Sequence, residues 1–147
     1  MSVPAFRKLS ILMAAFNEED SLFACAEQVL GVPLPGGLER ELIIIDDGSK
    51  DGTWQVMEEL AAAEPTRVRI FKQPKNQGKG AAIRRAVAEM TGDLAIIQDA
   101  DLEYDPRDYG RMLAPILDGR AEVVFDSRFA GAECKVLFFW HAQFNKF

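Results

Sequence analysis

Four short apolar runs, Leu9 to Ala15, Leu42 to Ile45, Val68 to Phe71 and Leu94 to Gln98, each lead through a polar turn into a stretch of helical spacing. That alternation constrains the fold more than any other feature of the chain. Runs of four to seven residues without a polar alternation read as strands buried on both faces, and strands separated by helices pair in parallel. The pattern predicts an α/β fold: a doubly wound, mostly parallel sheet with helices on both faces.

The helix starts carry their own signals. Asn17-Glu18-Glu19-Asp20 precedes Leu22, Phe23, Ala26, Val29 and Leu30 at helical spacing, and Gly31 to Gly37 breaks that helix. Asp46 to Gly52 turns into a second helix running to about Ala63, with Ser49 or Asp51 as its cap. A third helix spans Gly78 to Met90 with Ile83, Val87 and Met90 on its inner face. Asp105 caps a fourth, with Pro106 at its first position, which ends near Leu117; Val123 to Phe125 makes a short fifth strand. Sheets of this kind bind ligands beyond the carboxyl ends of their strands, where Asn17, Asp46 and Asp99 fall.

At 147 residues and 48% hydrophobic, the chain suits a single domain over 1–147. A formal net charge of -6 argues against nucleic acid as a partner. Lys72, Lys75, Lys79, Arg84 and Arg85 nevertheless gather in one central stretch, which suits a small anion. The two cysteines, Cys25 and Cys134, form no pair motif and read as reduced, packed thiols of a cytoplasmic protein. The first residues lack the pattern of a secretory signal, and no apolar run approaches the ~20 residues of a membrane span. The expectation is a soluble or peripheral protein.

The fourth run ends in Asp99-Ala100-Asp101-Leu102-Glu103, three carboxylates spaced two residues apart. If the chain stays extended they point one way, and such a group is most easily tolerated around a hard divalent cation. A metal-diphosphate site and a solvated acidic turn both fit this segment taken alone. Asp47 to Glu58 matches much of a calcium loop, yet it follows the most strand-like run in the chain rather than a helix, and that reading is rejected. Gly78-Lys79-Gly80 satisfies neither the dinucleotide fingerprint nor the P-loop. It leaves a glycine-rich helix start with a lysine, which suits a phosphate or is simply a flexible start with a solvated Lys79.

Five ordered segments together resemble the GT-A fold glycosyltransferases of family 2, in the branch of polyprenyl-phosphate (dolichyl-phosphate) mannosyl- and glucosyltransferases. They are Ala14 to Glu19, Ile45 to Thr53, Asn76 to Gly80, Asp99 to Glu103 and Ser127-Arg128-Phe129. The resemblance implies an inverting, metal-dependent transfer of a hexose from a GDP-mannose- or UDP-glucose-type donor to polyprenyl phosphate. Ala14, Phe16 and Glu18 are similar to the family's first nucleotide loop, with the aromatic near the base and Glu18 on the ribose. Asp46 is similar to the Asp that bonds the base edge. Asp99 and Ala100 would contact the nucleotide sugar, Lys79 its phosphates, and Asp99, Asp101 and Glu103 would hold Mg or Mn. Arg128 aligns with an arginine near the acceptor phosphate, and no residue is marked as a catalytic base, because that phosphate is already anionic. Ala14 stands where the family usually has Pro, Glu103 where it often has Gln, and Asp126 where Gly commonly precedes Ser-Arg.

The family domain usually continues further, so the sequence reads as a donor-binding part at about 8–130 and an aromatic segment at 134–147, incomplete at the C-terminus. Its alternatives are a non-catalytic nucleotide-sugar-binding remnant and a family 2 transferase acting on another glycan. The aromatic segment, with Lys135 and Lys146, suits an interfacial helix at the cytoplasmic face of the membrane, or a helix packed on a further part of the domain. Its apolar face favours self-association, giving an oligomer.

Overall fold

A computed structural model describes residues 5–101, 103–127 and 134–139. In chain order the elements are β1 (Lys8–Ala15), α1 (Leu22–Gly31), β2 (Glu39–Asp46), α2 (Thr53–Ala63), β3 (Val68–Lys72) and α3 (Lys79–Glu89). They continue with β4 (Leu94–Ile97), α4 (Tyr109–Leu117), β5 (Val123–Ser127) and β6 (Cys134–Phe139). Single 3-10 turns occupy Pro35–Gly37 and Pro106–Asp108.

The six strands form one sheet in the order β3-β2-β1-β4-β6-β5. The first four run parallel, with Leu9 opposite Arg40 on one side of β1 and opposite Leu94 on the other. Their side chains divide by parity, as a strand period of two requires. Leu9, Ile11, Met13, Leu42, Ile44, Leu94 and Ile96 turn to a core shared with Leu22, Val29, Met57, Tyr109 and Leu113 of the helices α1, α2 and α4. Leu12, Ile43, Ile45 and Ala95 turn the other way, onto α3. Burial on both faces explains why β1, β2 and β4 read as nearly unbroken apolar runs, whereas β3, at the edge of the sheet, carries Arg69 and is only partly buried.

Three expectations need correction. The innermost residues of α3 are Ala82 and Ala86, fully buried, while Ile83, Val87 and Met90 flank them at the edge of that core. Small side chains let the helix lie close on the sheet, and the larger ones seal the sides. The Asp105 carboxylate accepts from the Arg107 amide, as a cap should, but it caps the 3-10 turn, and α4 begins at Tyr109.

The third correction concerns the aromatic segment. Cys134–Phe139 is a strand rather than a helix, antiparallel to both neighbours, with Ala95 opposite Phe138 and Phe125 opposite Val136. Valine and phenylalanine favour the extended backbone, and both strand edges find partners there. The fifth strand therefore does not extend the parallel ladder, because β6 lies between it and β4. Residues 140–147, with Trp140 and His141, lie outside the described residues.

Candidate nucleotide and metal site

Three loops at the carboxyl end of the parallel strands are tied together by backbone amides and short polar side chains. After β1, Asn17 takes a positive φ of 52°; its amide donates to Ser49 Oγ (2.9 Å) and its Oδ1 accepts from the Lys50 amide (2.9 Å). The Glu18 amide donates to Thr53 Oγ1 (2.8 Å), and the Thr53 amide donates to Asp51 Oδ1 (2.9 Å) in a turn just ahead of α2, whose cap position is Gly52 rather than Ser49 or Asp51. Gly48, at φ 79°, lets the loop after β2 pass against the loop before α3: a Cβ there would sit 2.6 Å from the Asn76 nitrogen. No residue but glycine fits that crossing.

The crossing is fastened by Asp47. Its Oδ1 accepts from the Gln77 amide and its Oδ2 from the Gly78 amide, both at 2.9 Å. Of the Gly78-Lys79-Gly80 helix start, the Gly78 amide is thus engaged by a carboxylate of the chain. The helix start also presents the Lys79 ammonium, which reaches across to pair with Asp99 Oδ1.

Between these loops opens a cleft of about 470 Å³. Ala14, Phe16, Glu18, Lys79, Asp99, Ala100, Asp101 and Glu103 line it, which brings together all but one of the donor and metal residues expected from sequence. Ala15, Asp47, Asn76 and Gly78 complete the wall; Gly78 belongs to the helix start that suited a phosphate, and the other three were not assigned to the site from sequence. The exception is Asp46, which is fully buried beneath the cleft. Its Oδ1 accepts from the Ser49 amide (3.0 Å), its carbonyl accepts from the Gln73 amide (2.8 Å), and its Oδ2 is buried with no hydrogen-bond partner among the described residues. The parity of β2 accounts for this: Asp46 follows Leu42 and Ile44 toward the three-helix side, and Asp47 turns toward α3. Arg128 lies outside the described residues.

The central basic stretch does not act as one patch. Lys79 lines the cleft, while Lys72 and Lys75 line an adjoining hollow of about 550 Å³ with Lys50 and Gln73. The Lys72 ammonium also stands over the Trp54 ring (5.1 Å), and Arg85 pairs with Glu89 and stacks on Phe71.

The acids do not stay extended beyond β4. Strand pairing ends at Ile97, and Asp101 Oδ1 accepts from the Glu103 amide (3.1 Å), which makes a turn. Among the described residues no three acidic, histidine or cysteine side chains converge into a cage that would hold an ion alone. The oxygen donors on the cleft wall nevertheless suit Mg or Mn, which are commonly held by one or two carboxylates together with phosphate oxygens. Lys79 already supplies a positive charge at Asp99.

The open cleft, walled by acids on one side and a lysine on the other, lies at the carboxyl ends of the parallel strands of a fold that is GT-A-like by its likeness to solved structures. The chain belongs to glycosyl transferase family 2, which matches it over residues 10–147. It is 32% identical over 119 residues to the undecaprenyl-phosphate 4-deoxy-4-formamido-L-arabinose transferase of Klebsiella pneumoniae, covering 81% of this chain and 36% of that protein. It is 29% identical to the dolichol-phosphate mannosyltransferase of Pyrococcus furiosus, covering 83% and 33%. The glucosyl-3-phosphoglycerate synthase of Mycobacterium tuberculosis, crystallised with Mn2+, UDP and glucosyl-3-phosphoglycerate, superposes with a TM-score of 0.63 at 27% identity, covering 80% and 42%. The chain thus spans about a third of the length of the curated relatives it matches. Among the described residues no helix is long and apolar enough to cross a membrane.

Proposed function

We propose that this chain carries the nucleotide-sugar site of an inverting glycosyltransferase that passes a hexose from a GDP-mannose- or UDP-glucose-type donor to polyprenyl phosphate at the cytoplasmic membrane face. The observation behind this reading is the cleft itself, where Lys79 faces Asp99, Asp101 and Glu103 beside the half-exposed ring of Phe16. The named activities of the Klebsiella and Pyrococcus relatives support the acceptor class.

In this reading Phe16 packs on the base and Glu18 accepts from the ribose hydroxyls. Asp101, with Asp99 or Glu103, would hold a Mg or Mn ion, which would supply positive charge to the departing diphosphate. Lys79 exchanges its partner Asp99 for a diphosphate oxygen and steadies the same developing charge. The acceptor phosphate oxygen forms the new bond to the anomeric carbon as the bond to the diphosphate oxygen breaks on the opposite side. No general base is needed, and the work of the protein is orientation and charge. Arg128 is assigned to the acceptor phosphate.

Calorimetry with GDP and UDP, with and without Mn2+, followed by transfer of labelled sugar to polyprenyl phosphate, tests the proposal. Metal-dependent nucleotide binding with transfer supports it in full. Binding without transfer assigns to these 147 residues the donor site alone, and absence of binding removes the basis of both.

A further inference from the structure

Beneath the acidic segment lies a polar network with no access to the cleft. Gln98 and Tyr109 are both fully buried. The Tyr109 hydroxyl donates to Gln98 Oε1 (2.6 Å), and Gln98 Nε2 donates to two backbone carbonyls, those of Asp99 (3.2 Å) and Tyr104 (3.3 Å). Those carbonyls belong to the first cleft acid and to the residue just after the last one. The Gln98 backbone amide meanwhile donates to the Leu12 carbonyl (3.0 Å) and closes the end of the β1–β4 ladder. One buried side chain therefore closes the segment that carries Asp99, Asp101 and Glu103 onto the end of a central strand.

We infer that Gln98 and Tyr109 are positioning residues for the metal-binding carboxylates: the Gln98 amide staples the two ends of the acidic segment, and the Tyr109 hydroxyl supplies the donor that the amide oxygen needs. This inference rests on the donor-site reading for what the acids do, and on geometry alone for what holds them.

The chemistry of the amide makes the arrangement one-way. Gln98 needs a donor at Oε1 and acceptors at Nε2; reversing the group would set its oxygen against two carbonyl oxygens. The two carbonyls set this orientation, and Tyr109, whose phenol burial pushes well above the ordinary value, supplies the donor that Oε1 needs. A Phe at this place would take that donor from the buried Oε1 and weaken the anchor shared by the carbonyls of Asp99 and Tyr104. Cys25 Sγ (3.3 Å from the Asp99 carbonyl) and Ser21 Oγ (3.2 Å from the Ala100 carbonyl) also brace the start of the segment.

The test compares the 147-residue chain with Tyr109→Phe and Gln98→Met by two measurements. Amide hydrogen exchange, followed by NMR without ligand, should rise about fivefold or more at Asp101, Glu103 and Tyr104 in Tyr109→Phe, the size of one lost neutral hydrogen bond, while β1 and β2 amides stay protected. Calorimetry should show the tightening of GDP or UDP binding by Mn2+ reduced about fivefold, with metal-free nucleotide affinity unchanged. Combining the two substitutions should cost no more than the larger single one, since both break the same staple. Unchanged exchange in the acidic segment of both variants overturns the inference, as does an equal loss of metal-free and metal-dependent affinity, which would mark a general collapse of the cleft. If the unaltered chain shows no effect of Mn2+, the donor-site reading fails, and the exchange measurement still decides whether the staple exists.

Discussion

Two buried carboxylates at opposite ends of the parallel sheet, Glu41 and Asp46, are treated in opposite ways. At the amino end, Glu41 is 2% exposed and every demand is met: it accepts from Ser10 Oγ (2.6 Å), from the Thr91 amide (2.6 Å) and from Thr91 Oγ1 (3.0 Å), with Lys8 at 3.4 Å and Arg69 at 3.6 Å. Asp93 beside it accepts from the amides of Arg7 and Lys8. At the carboxyl end, Asp46 keeps a buried oxygen without a partner among the described residues, Asp99 is held by a lysine that is itself 60% exposed, and Asn17 and Gly48 sit at positive φ. The same strands thus end in a satisfied seal on one side and an unfinished surface on the other. Polar groups serve stability where their bonds are complete and ligands where they are not.

Substitutions at the two ends should separate accordingly. The largest effect is expected from Glu41→Ala, which strands three donors and two cations; urea denaturation should show a loss of about 3 kcal/mol, with nucleotide affinity of the folded protein unchanged. Asp101→Ala should do the reverse, weakening Mn2+-dependent GDP or UDP binding about tenfold or more by calorimetry while the urea midpoint stays put. Lys79→Gln removes a partly exposed cation and should weaken nucleotide diphosphate binding about three- to fivefold, again without loss of stability. Loss of stability in either cleft variant would break the contrast between the ends.

The smallest effect sharpens it through pH. Burial alone would raise the Glu41 pKa, but hydrogen bonds from Ser10 and Thr91 and the charge of Lys8 leave it below its ordinary value. A carboxyl lowered in the folded state contributes stability above its unfolded pKa of about 4.3, and that contribution is lost as pH falls through the folded value. Urea midpoints should therefore be flat near neutrality and decline in acid, and Glu41→Gln should flatten that decline. An unchanged acid slope in the variant would mean that other carboxylates set it.

Much of this contrast is visible in the sequence, though unevenly. The parallel strands β1, β2 and β4 are legible because burial on both faces forces nearly continuous apolar runs such as Leu42 to Ile45. The position of β6 is not, since nothing in Cys134 to Phe139 tells a strand which neighbour it will choose. The cleft acids are legible because they close a strand, whereas the exchange of Asp46 for Asp47 needs the facing of β2, known only once α3 is seen to pack on Ile43 and Ile45. Lys79 and Asp99 meet through the sheet order, across 20 positions of sequence. The Glu41 seal escapes for the same reason, because Ser10, Arg69 and Thr91 come from separate turns of the chain.

The insertion of β6 beside β4 also sets an order of assembly. During synthesis β1 to β4 emerge in sequence, and each can dock on a predecessor as it appears. The outer edge of β4 has no strand beside it until residue 139 has been made, because β5 reaches the sheet only through β6. The strand that leads into Asp99 therefore spends part of its biogenesis as a bare edge, with a row of open amides and carbonyls on one side. That interval is when a nascent chain of this design is most exposed to pairing with the wrong strand.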